Sequence, residues 1–364
     1  MNFIRTWLSK FQYLFFLIRK KGIKYVYNYL FVSYMYGTKN PFLLWFIYKF
    51  YPYPFCLEVE VTTNCMLRCV MCEHTYWNIP RYDMTFEQFE KLLNQFPKLK
   101  WIGLTGIGES FLNKDFLRIL ELVKKRGIFV ELYDNFFLID ERVSQRLVEL
   151  EVDRILISME SCTKETYEKI RVGSNFDRVV TNIKRLFEIK KERGAHFPEV
   201  DFHYILMSNN AHEALPYLDL VHEITRGEPV SVQYSRMLHN FPEVANLFVE
   251  VAPSVIEQIA RRGKELGISV HWNADIPGCK PSAKKCTEWI MPFIFANGEI
   301  TPCCALNEEG DREFQLRTSM GSIFSQDFQD IWSGERYRNL REGLATGRIP
   351  APCVRCPLYE IKVK

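Results

Sequence analysis

Eleven cysteines occur among the 364 residues, and most lie in short groups whose spacing is typical of metal ligands. The sharpest group is Cys65-x3-Cys69-x2-Cys72, in a loop that follows an apolar stretch predicted to be a strand. Three thiolates in one short loop can ligate three irons of a [4Fe–4S] cubane. Because the loop holds no fourth thiolate, one iron would remain open to chelate a small molecule. A zinc ion, with His74 as its fourth ligand, is the alternative interpretation.

A second cysteine group lies toward the C terminus. Eleven residues separate Cys286 from Gly298, and four separate Gly298 from Cys303. Cys304 follows directly, and a Cys-x2-Cys-Pro sequence occupies residues 353–357. Ligands in this pattern suit a further metal site, which is either an iron–sulfur cluster or a zinc ribbon.

Alternating strand and helix patterns must position these groups. Apolar stretches predict strands at 56–61, 101–105, 129–133, 154–159, 200–207 and 230–234, and a helical pattern follows each of the first five. Thr85 is a predicted N-cap of the first of these helices. The repeat predicts an α/β protein with a parallel sheet and helices outside, either barrel-like or doubly wound. In such folds chemistry lies at the carboxyl ends of the strands, where the cysteine loop, residues 106–109 and residues 158–160 fall.

Because of the cysteine loop after the first strand and the repeated strand–helix pattern, residues 55–237 resemble the radical S-adenosylmethionine (SAM) superfamily. The resemblance implies a partial (β/α)6 TIM-like barrel in which Cys65, Cys69 and Cys72 bind a [4Fe–4S] cluster. It also implies that the amino and carboxylate groups of SAM bind the open iron. Met71 takes a position where the family often has an aromatic residue and is expected to offer its backbone to the adenine.

Residues 106–110, Gly-Ile-Gly-Glu-Ser, resemble the glycine-rich GGEP motif of the family. Gly106 and Gly108 would let the backbone approach the amino group of SAM closely. Glu109 would place a negative charge beside that ammonium group. Ser110 departs from the family pattern, which usually has proline there.

The resemblance also suggests SAM contacts after the fourth strand. Ser158 and Glu160 match family residues that face the SAM ribose, although an aspartate is more usual at the second position. Arg171 matches an arginine that pairs with the SAM carboxylate, for which its fork of donors is suited. The alternatives are a polar strand end in solvent for Glu160 and a solvated arginine at a helix end for Arg171.

The C-terminal group resembles the SPASM/Twitch-type extension of the same superfamily. The residues around Gly298 and the Ile331-Trp332 pair match its character. Fewer cysteines are present than in the two-cluster version, so the resemblance implies one auxiliary [4Fe–4S] cluster. Its expected ligands are Cys286, Cys303, Cys353 and Cys356, with Cys304 as the rival of Cys303. Cys56, Cys162 and Cys279 are expected to be buried or unligated thiols.

The overall composition excludes several classes of protein. A chain that is 47% hydrophobic and 25% charged is neither disordered nor a disulfide scaffold. The net charge of +3 argues against a nucleic-acid binder. No signal-peptide pattern is present, so a cytoplasmic location is expected.

The first 57 residues differ from the rest. They hold eight Lys or Arg, no Asp or Glu, and 20 of the 53 aromatic residues. Their apolar runs, at 11–18 and 41–48, are far shorter than the roughly 20 residues of a spanning helix. The pattern predicts amphipathic helices that associate with an anionic membrane surface through residues 1–55, at the inner face of the membrane. A helical hairpin that covers part of the main domain is the alternative.

Three domains are therefore expected: a basic helical extension at 1–54, a barrel at 55–240 and an auxiliary-cluster domain at 241–364. The implied activity is cleavage of SAM to a 5′-deoxyadenosyl radical, which abstracts hydrogen from a substrate C–H bond. The implied partner is an external electron donor of the flavodoxin or ferredoxin type. The N terminus favours a lipid-linked or membrane-presented substrate, and a peptide or protein is the alternative substrate. A non-catalytic zinc-binding interaction protein is a distant alternative function.

The substrate-contacting residues are less defined by the sequence. The candidates lie on the late strands, where either face is compatible with the pattern: His203, Tyr204, Gln233, Tyr234 and Arg236. No residue is assigned to proton transfer.

Overall fold

The computed structural model describes residues 14–35, 38, 40–237, 241–272, 282–304, 306, 312–356 and 358–360. Cys279, expected to be unligated, lies outside the described residues. The strands in the described residues, in chain order, are β1 (Cys56–Val59), β2 (Arg68–Cys69), β3 (Trp101–Leu104), β4 (Phe129–Asp134), β5 (Arg154–Ser158), β6 (Arg171–Val172), β7 (Glu199–Leu206), β8 (Ser231–Arg236), β9 (Ser269–Trp272), β10 (Phe293–Ile294), β11 (Glu299–Thr301) and β12 (Gly321–Ser322).

Helices surround the strands. A helix at 14–21 comes first, and the others are Ile23–Met35, Pro41–Phe50, Glu73–Tyr76, Phe86–Asn94, Phe116–Lys125, Glu141–Glu149, Lys164–Ile170, Phe176–Glu192, Tyr217–Ile224, Pro253–Leu266, Arg312–Arg317, Phe328–Ser333 and Glu335–Thr346. Thr85 forms a capping box with Gln88 at the start of Phe86–Asn94, which confirms the predicted N-cap.

The main sheet confirms the predicted α/β class. Its order is β12-β11-β10-β1-β3-β4-β5-β7-β8-β9, and the neighbours from β10 through β1 to β9 pair in parallel. All six predicted barrel strands are present with bounds shifted by at most two residues. The connecting helices pack on the outer face, as expected for a partial TIM-like barrel.

The C-terminal segment continues this sheet instead of forming a separate layer. β10 pairs in parallel with β1, and β11 and β12 add antiparallel strands beyond it. Glu60, just after β1, is fully buried and accepts hydrogen bonds from the Ala296 amide and from the Arg312 guanidinium at 2.6 Å. Its other oxygen accepts the Ile107 amide hydrogen at 3.2 Å. Glu60 therefore ties the C-terminal segment to the glycine-rich loop.

Helix Ile23–Met35 lies across the amino ends of the barrel strands. The Tyr25 hydroxyl donates to Asp153, which directly precedes β5, at 2.8 Å. The Tyr25 and Tyr29 rings lie 5.9 and 6.0 Å from the ring of Phe129, the first residue of β4. The inner face of this helix thus covers the barrel, which is the alternative that the sequence left open.

The outer face of the same region is exposed and aromatic. Ile23, Tyr27, Leu30 and Tyr34 follow helical spacing and are 45–74% exposed. On helix Pro41–Phe50 the exposed side chains are Phe42, Trp45, Phe46 and Phe50. No helix in the described part of the chain has the length and apolar character needed to span a bilayer.

Candidate active site

A cavity of about 450 Å3 lies at the carboxyl ends of the barrel strands. Residues from β1, β4, β5, β7 and β8 line it, together with the cysteine loop and the loop after β3. The cavity therefore occupies the edge of the sheet where the sequence analysis places the chemistry.

The three cysteines of the first group all line this cavity. Their loop is held by pairing of β2 with β6 and by the Arg68 guanidinium, which donates to the carbonyls of Cys65 and Leu67. The Thr75 hydroxyl donates to the Cys69 carbonyl at 2.7 Å. These bonds fix the backbone of the loop, whose three thiols line the cavity and which contains no fourth cysteine.

His74, the ligand in the zinc interpretation, has other partners. Its Nε2 is 3.0 Å from the Thr63 carbonyl oxygen and its Nδ1 is 3.3 Å from the Arg68 guanidinium. In the described residues no three His, Cys, Asp or Glu side chains lie close enough together to share one metal ion. A cubane, in contrast, takes its thiolates at separate iron corners.

Burial of the cysteine-loop thiols couples metal binding at this site to the loss of protons. Burial raises the pKa of Cys69 to about 11, although the nearby Arg171 charge opposes the rise. Burial, followed by the Glu73 charge, also raises the pKa of Cys72. The metal-free thiols are therefore protonated at neutral pH, and iron must displace these protons when it binds.

The glycine-rich loop after β3 is packed against the chain that leaves β1. A Cβ atom at Gly108 would lie 2.2 Å from the Thr62 carbonyl oxygen, and one at Gly106 would lie 2.5 Å from a side-chain carbon of Glu60. The Glu109 amide donates to the Asn64 carbonyl at 2.7 Å. Both glycines are required by close packing, and this packing places the Glu109 side chain at the cavity.

Glu109 meets a second carboxylate, Asp134, at the end of β4. Both are 4% exposed, both line the cavity, and each has one oxygen without a hydrogen-bond partner, Oε1 of Glu109 and Oδ2 of Asp134. The Asn135 amide donates to the other oxygen of Glu109. Burial and the Asp134 charge raise the pKa of Glu109, and burial raises the pKa of Asp134. The pair is suited to bind a cationic group such as an ammonium.

Asp134 and Asn135 were not identified from the sequence. The available signal was weak: both directly follow the apolar stretch predicted as the third barrel strand, where parallel strands carry functional groups. Nothing local indicates that Asp134 meets Glu109, because the contact depends on the register between β3 and β4.

Replacing Asp134 by Asn should have opposite effects on stability and on SAM affinity. A carboxyl whose pKa is raised by folding loses stability as pH rises through that raised pKa, so the Asn variant should melt higher than wild type at neutral pH. At a pH below the ordinary range of aspartate this difference should vanish. SAM should bind the reconstituted variant about tenfold or more weakly, since hydrogen bonds to charged groups contribute about 1.5–3 kcal/mol. Calorimetric melting and titration measure the two effects.

Asp153→Asn is the matched control, because Asp153 is fully buried at the opposite edge of the barrel. Its carboxylate accepts from Lys124, the Tyr25 hydroxyl and the Val130 amide. Loss of that charge should lower the melting temperature and leave SAM affinity unchanged. Unchanged SAM affinity in Asp134→Asn would contradict the role of the acidic pair.

Ser158 and Arg171 line the cavity, whereas Glu160 does not. Glu160 is fully buried, and its oxygens accept from Nε and Nη2 of Arg171 at 2.6 Å each. Arg171 Nη1 lies 3.8 Å from the Cys69 sulfur. The structure thus gives Glu160 a different contact from the expected ribose: both oxygens are used to hold Arg171 in a bidentate pair.

The candidates on the late strands fall into two groups, one inside the cavity and one outside it. His203, Gln233 and Arg236 line the cavity, whereas the Tyr204 and Tyr234 side chains point outward. The Tyr204 hydroxyl donates to the carbonyl of Asn210 and the Tyr234 hydroxyl to that of Ala214. Burial lowers the pKa of His203. The side of the cavity formed by the late strands is therefore polar.

The second cysteine group gathers at a different place. Burial raises the pKa of Cys303, and the charges of Cys286, Cys353 and Cys356 raise it further. The four expected ligands therefore lie together, and burial also raises the pKa of Cys353 to about 12. Cys304 instead lines the barrel cavity.

Comparison with known proteins agrees with this geometry. The model of the radical SAM superfamily matches residues 59–221, and that of an iron–sulfur cluster-binding domain, SPASM, matches residues 286–357. A tungsten-containing aldehyde ferredoxin oxidoreductase cofactor-modifying protein from Pyrococcus furiosus is 28% identical over 84% of this chain and 87% of its own length. A PqqA peptide cyclase from Granulibacter bethesdensis is 24% identical over 85% of this chain and 81% of its own.

Solved structures give the same fold. Streptococcus suis SuiB bound to S-adenosylmethionine covers 96% of this chain and 91% of its own, with a TM-score of 0.63 and 13% identity. The matching families are enzymes that bind SAM and iron–sulfur clusters, which overturns the non-catalytic zinc alternative. The chain belongs to the radical SAM superfamily and is an enzyme with a C-terminal SPASM domain.

Proposed function

We propose that the protein cleaves SAM in the 450 Å3 cavity and removes a hydrogen atom from a C–H bond of a substrate bound beside it. The observation that carries the proposal is the charge pattern around the cysteine loop. Arg171 supplies a positive charge next to Cys69, while Glu109 and Asp134 supply buried carboxylates on the same cavity. This pattern complements the carboxylate and ammonium groups of an amino acid.

In this proposal the residues of the chain bind the cluster and orient SAM beside it. Cys65, Cys69 and Cys72 would hold a [4Fe–4S] cluster, which with SAM supplies a 5′-deoxyadenosyl radical. Glu109 and Asp134 would bind the ammonium of SAM.

The remaining contacts fix the other end of SAM. Arg171 would bind its carboxylate, and Glu160 would act through Arg171 as a positioning residue. Ser158 would face the ribose, and Gly106 and Met71 would present backbone to the ligand.

The test is formation of 5′-deoxyadenosine and methionine by the anaerobically reconstituted protein with SAM and dithionite. Both products, measured by mass spectrometry, are expected in equal amounts. Protein that carries its full iron content and yields neither product would overturn the proposal.

We further propose that the exposed aromatic face of the N-terminal helices docks on an anionic membrane at the inner, cytoplasmic side. Charge complementarity supports this: Arg19, Lys20, Lys24 and Lys49 are exposed, and residues 1–57 contain no acidic residue. Surface attraction contributes about 1 kcal/mol per basic residue near anionic lipid and weakens with salt. The exposed rings add an apolar contribution that salt does not screen.

Liposome co-sedimentation should rise with anionic lipid content and fall only partly in high salt. The variant Ile23→Ser/Tyr27→Ser/Trp45→Ser should lose this binding, because it removes exposed apolar side chains and leaves the buried residues of the inner face unchanged. The control, Phe248→Ser/Leu316→Ser, changes side chains that are exposed elsewhere and should bind as wild type. Equal binding by both variants would refute the membrane proposal.

Two substrate classes remain candidates. The membrane-docking face favours a substrate presented at the membrane, such as a lipid-linked molecule. The similarity to a PqqA peptide cyclase over 85% of this chain favours a peptide or protein. We propose an external donor of the flavodoxin or ferredoxin type as the source of electrons in either case.

A further inference from the structure

Adjacent cysteines at the end of the β10–β11 hairpin face two different sites. Cys303 lies with the other auxiliary ligands, while Cys304 lines the barrel cavity together with Tyr133 and Phe293. The expectation that Cys304 rivals Cys303 as a ligand is therefore not supported by its position.

The cavity that Cys304 enters is a ligand site on independent grounds. Glu109 and Asp134 line it, and each is more than nine-tenths buried with one oxygen lacking a hydrogen-bond partner. A ligand bound there and the thiol would thus share one cavity of about 450 Å3.

Thiols have a particular reactivity toward carbon radicals. The S–H bond is weaker than an alkyl C–H bond, so a carbon radical readily takes a hydrogen atom from a thiol. Among the described cysteines that line the cavity, Cys65, Cys69 and Cys72 are assigned to the cluster, which leaves Cys304 with its S–H hydrogen.

We propose that Cys304 is a catalytic residue that donates its S–H hydrogen atom to a carbon radical formed in this cavity. The proposal rests on the proposed function. A C–H bond forms on the substrate carbon as the S–H bond breaks, and a thiyl radical remains on Cys304. One electron from the external low-potential donor and one proton from solvent then restore the thiol. The substrate carbon regains a hydrogen and keeps its oxidation state.

Transfer of deuterium from the Cys304 thiol, measured in D2O, tests the hydrogen-atom donation without a known substrate. With SAM and dithionite alone, the 5′ carbon radical serves as the probe, and the exchanged S–D group of Cys304 should place deuterium in 5′-deoxyadenosine. The readout is deuterium per 5′-deoxyadenosine formed, together with iron content. Cys304→Ser should lose the label, and Cys304→Ala should do the same if serine disturbs the fold.

Two control variants separate the alternatives. Cys162→Ala changes a thiol that does not line the cavity and should retain both the label and the product. Tyr133→Phe removes the other exchangeable group whose hydrogen a carbon radical can abstract there, and it should also retain the label.

Each other outcome has a defined meaning. Unlabelled product from wild type, a label that persists in both Cys304 variants, or a label lost in Tyr133→Phe would overturn the role of Cys304 and leave the proposed function standing. Iron loss in the Cys304 variants would overturn it in favour of ligation. Absence of 5′-deoxyadenosine from iron-loaded wild type would overturn both proposals.

Discussion

Replacing Cys65, Cys69 and Cys72 together by alanine should remove about four irons per chain and abolish 5′-deoxyadenosine formation. The three thiols line one cavity and are the only thiols of their loop, so their loss removes all the ligands that the loop offers to this cluster. Because the auxiliary cysteines lie elsewhere, the triple variant should still reconstitute with about four irons. Iron analysis and mass spectrometry measure the two effects.

Cys56→Ala/Cys162→Ala is the matched control, since neither thiol lines the cavity. This double variant should keep the full iron content and product formation. Continued SAM cleavage by the triple variant would contradict the assignment of the cluster ligands. A folded triple variant without iron would count against a separate auxiliary cluster.

Replacing Cys303 by alanine should remove the auxiliary cluster, whereas replacing Cys304 should not. Cys303 lies near Cys286, Cys353 and Cys356, and four thiolates complete a [4Fe–4S] ligand set. Iron content should therefore fall by about half in Cys303→Ala, from about eight to about four irons per chain. Cluster absorbance and iron analysis of the reconstituted proteins report the loss.

Cys304→Ala serves as the neighbouring control for this measurement. The two positions share one stretch of backbone, so a general disturbance of the loop would affect iron in both variants. Loss of iron in Cys304→Ala alone would show that the ligand assignment is wrong.

The barrel was predictable because its signal is local and repeated. Six apolar stretches separated by helical patterns require parallel strands, and Thr85 marks a helix start by its own side chain. The Cys65 loop was predictable for the same reason, since its cysteine spacing, the strand before it and the glycine motif after the next strand together indicate the chemistry.

What escaped prediction depends on register and on contacts between distant segments. His203 and Tyr204 are adjacent on β7, so their side chains lie on opposite faces of the sheet. The sequence does not show which of the two faces the cavity, and only the structure shows that it is His203. Glu160 follows β5 as expected, yet its partner is Arg171, eleven positions later, on another element. Periodicity gives no information about such pairs.

The N-terminal helices and the cavity occupy opposite edges of the same barrel. Helix Ile23–Met35 lies at the amino ends of the strands, where it contacts Phe129 and Asp153, and the cavity lies at their carboxyl ends. Strands of five or six residues separate these edges by roughly 15–20 Å, at about 3.3 Å per residue. If the enzyme docked on a membrane through the exposed aromatic face of its N-terminal helices, the opening of the cavity would face the aqueous phase. The bilayer would then only localise the enzyme. A substrate anchored in the bilayer would need a polar linker long enough to extend from the amino ends of the strands to the cavity at their carboxyl ends.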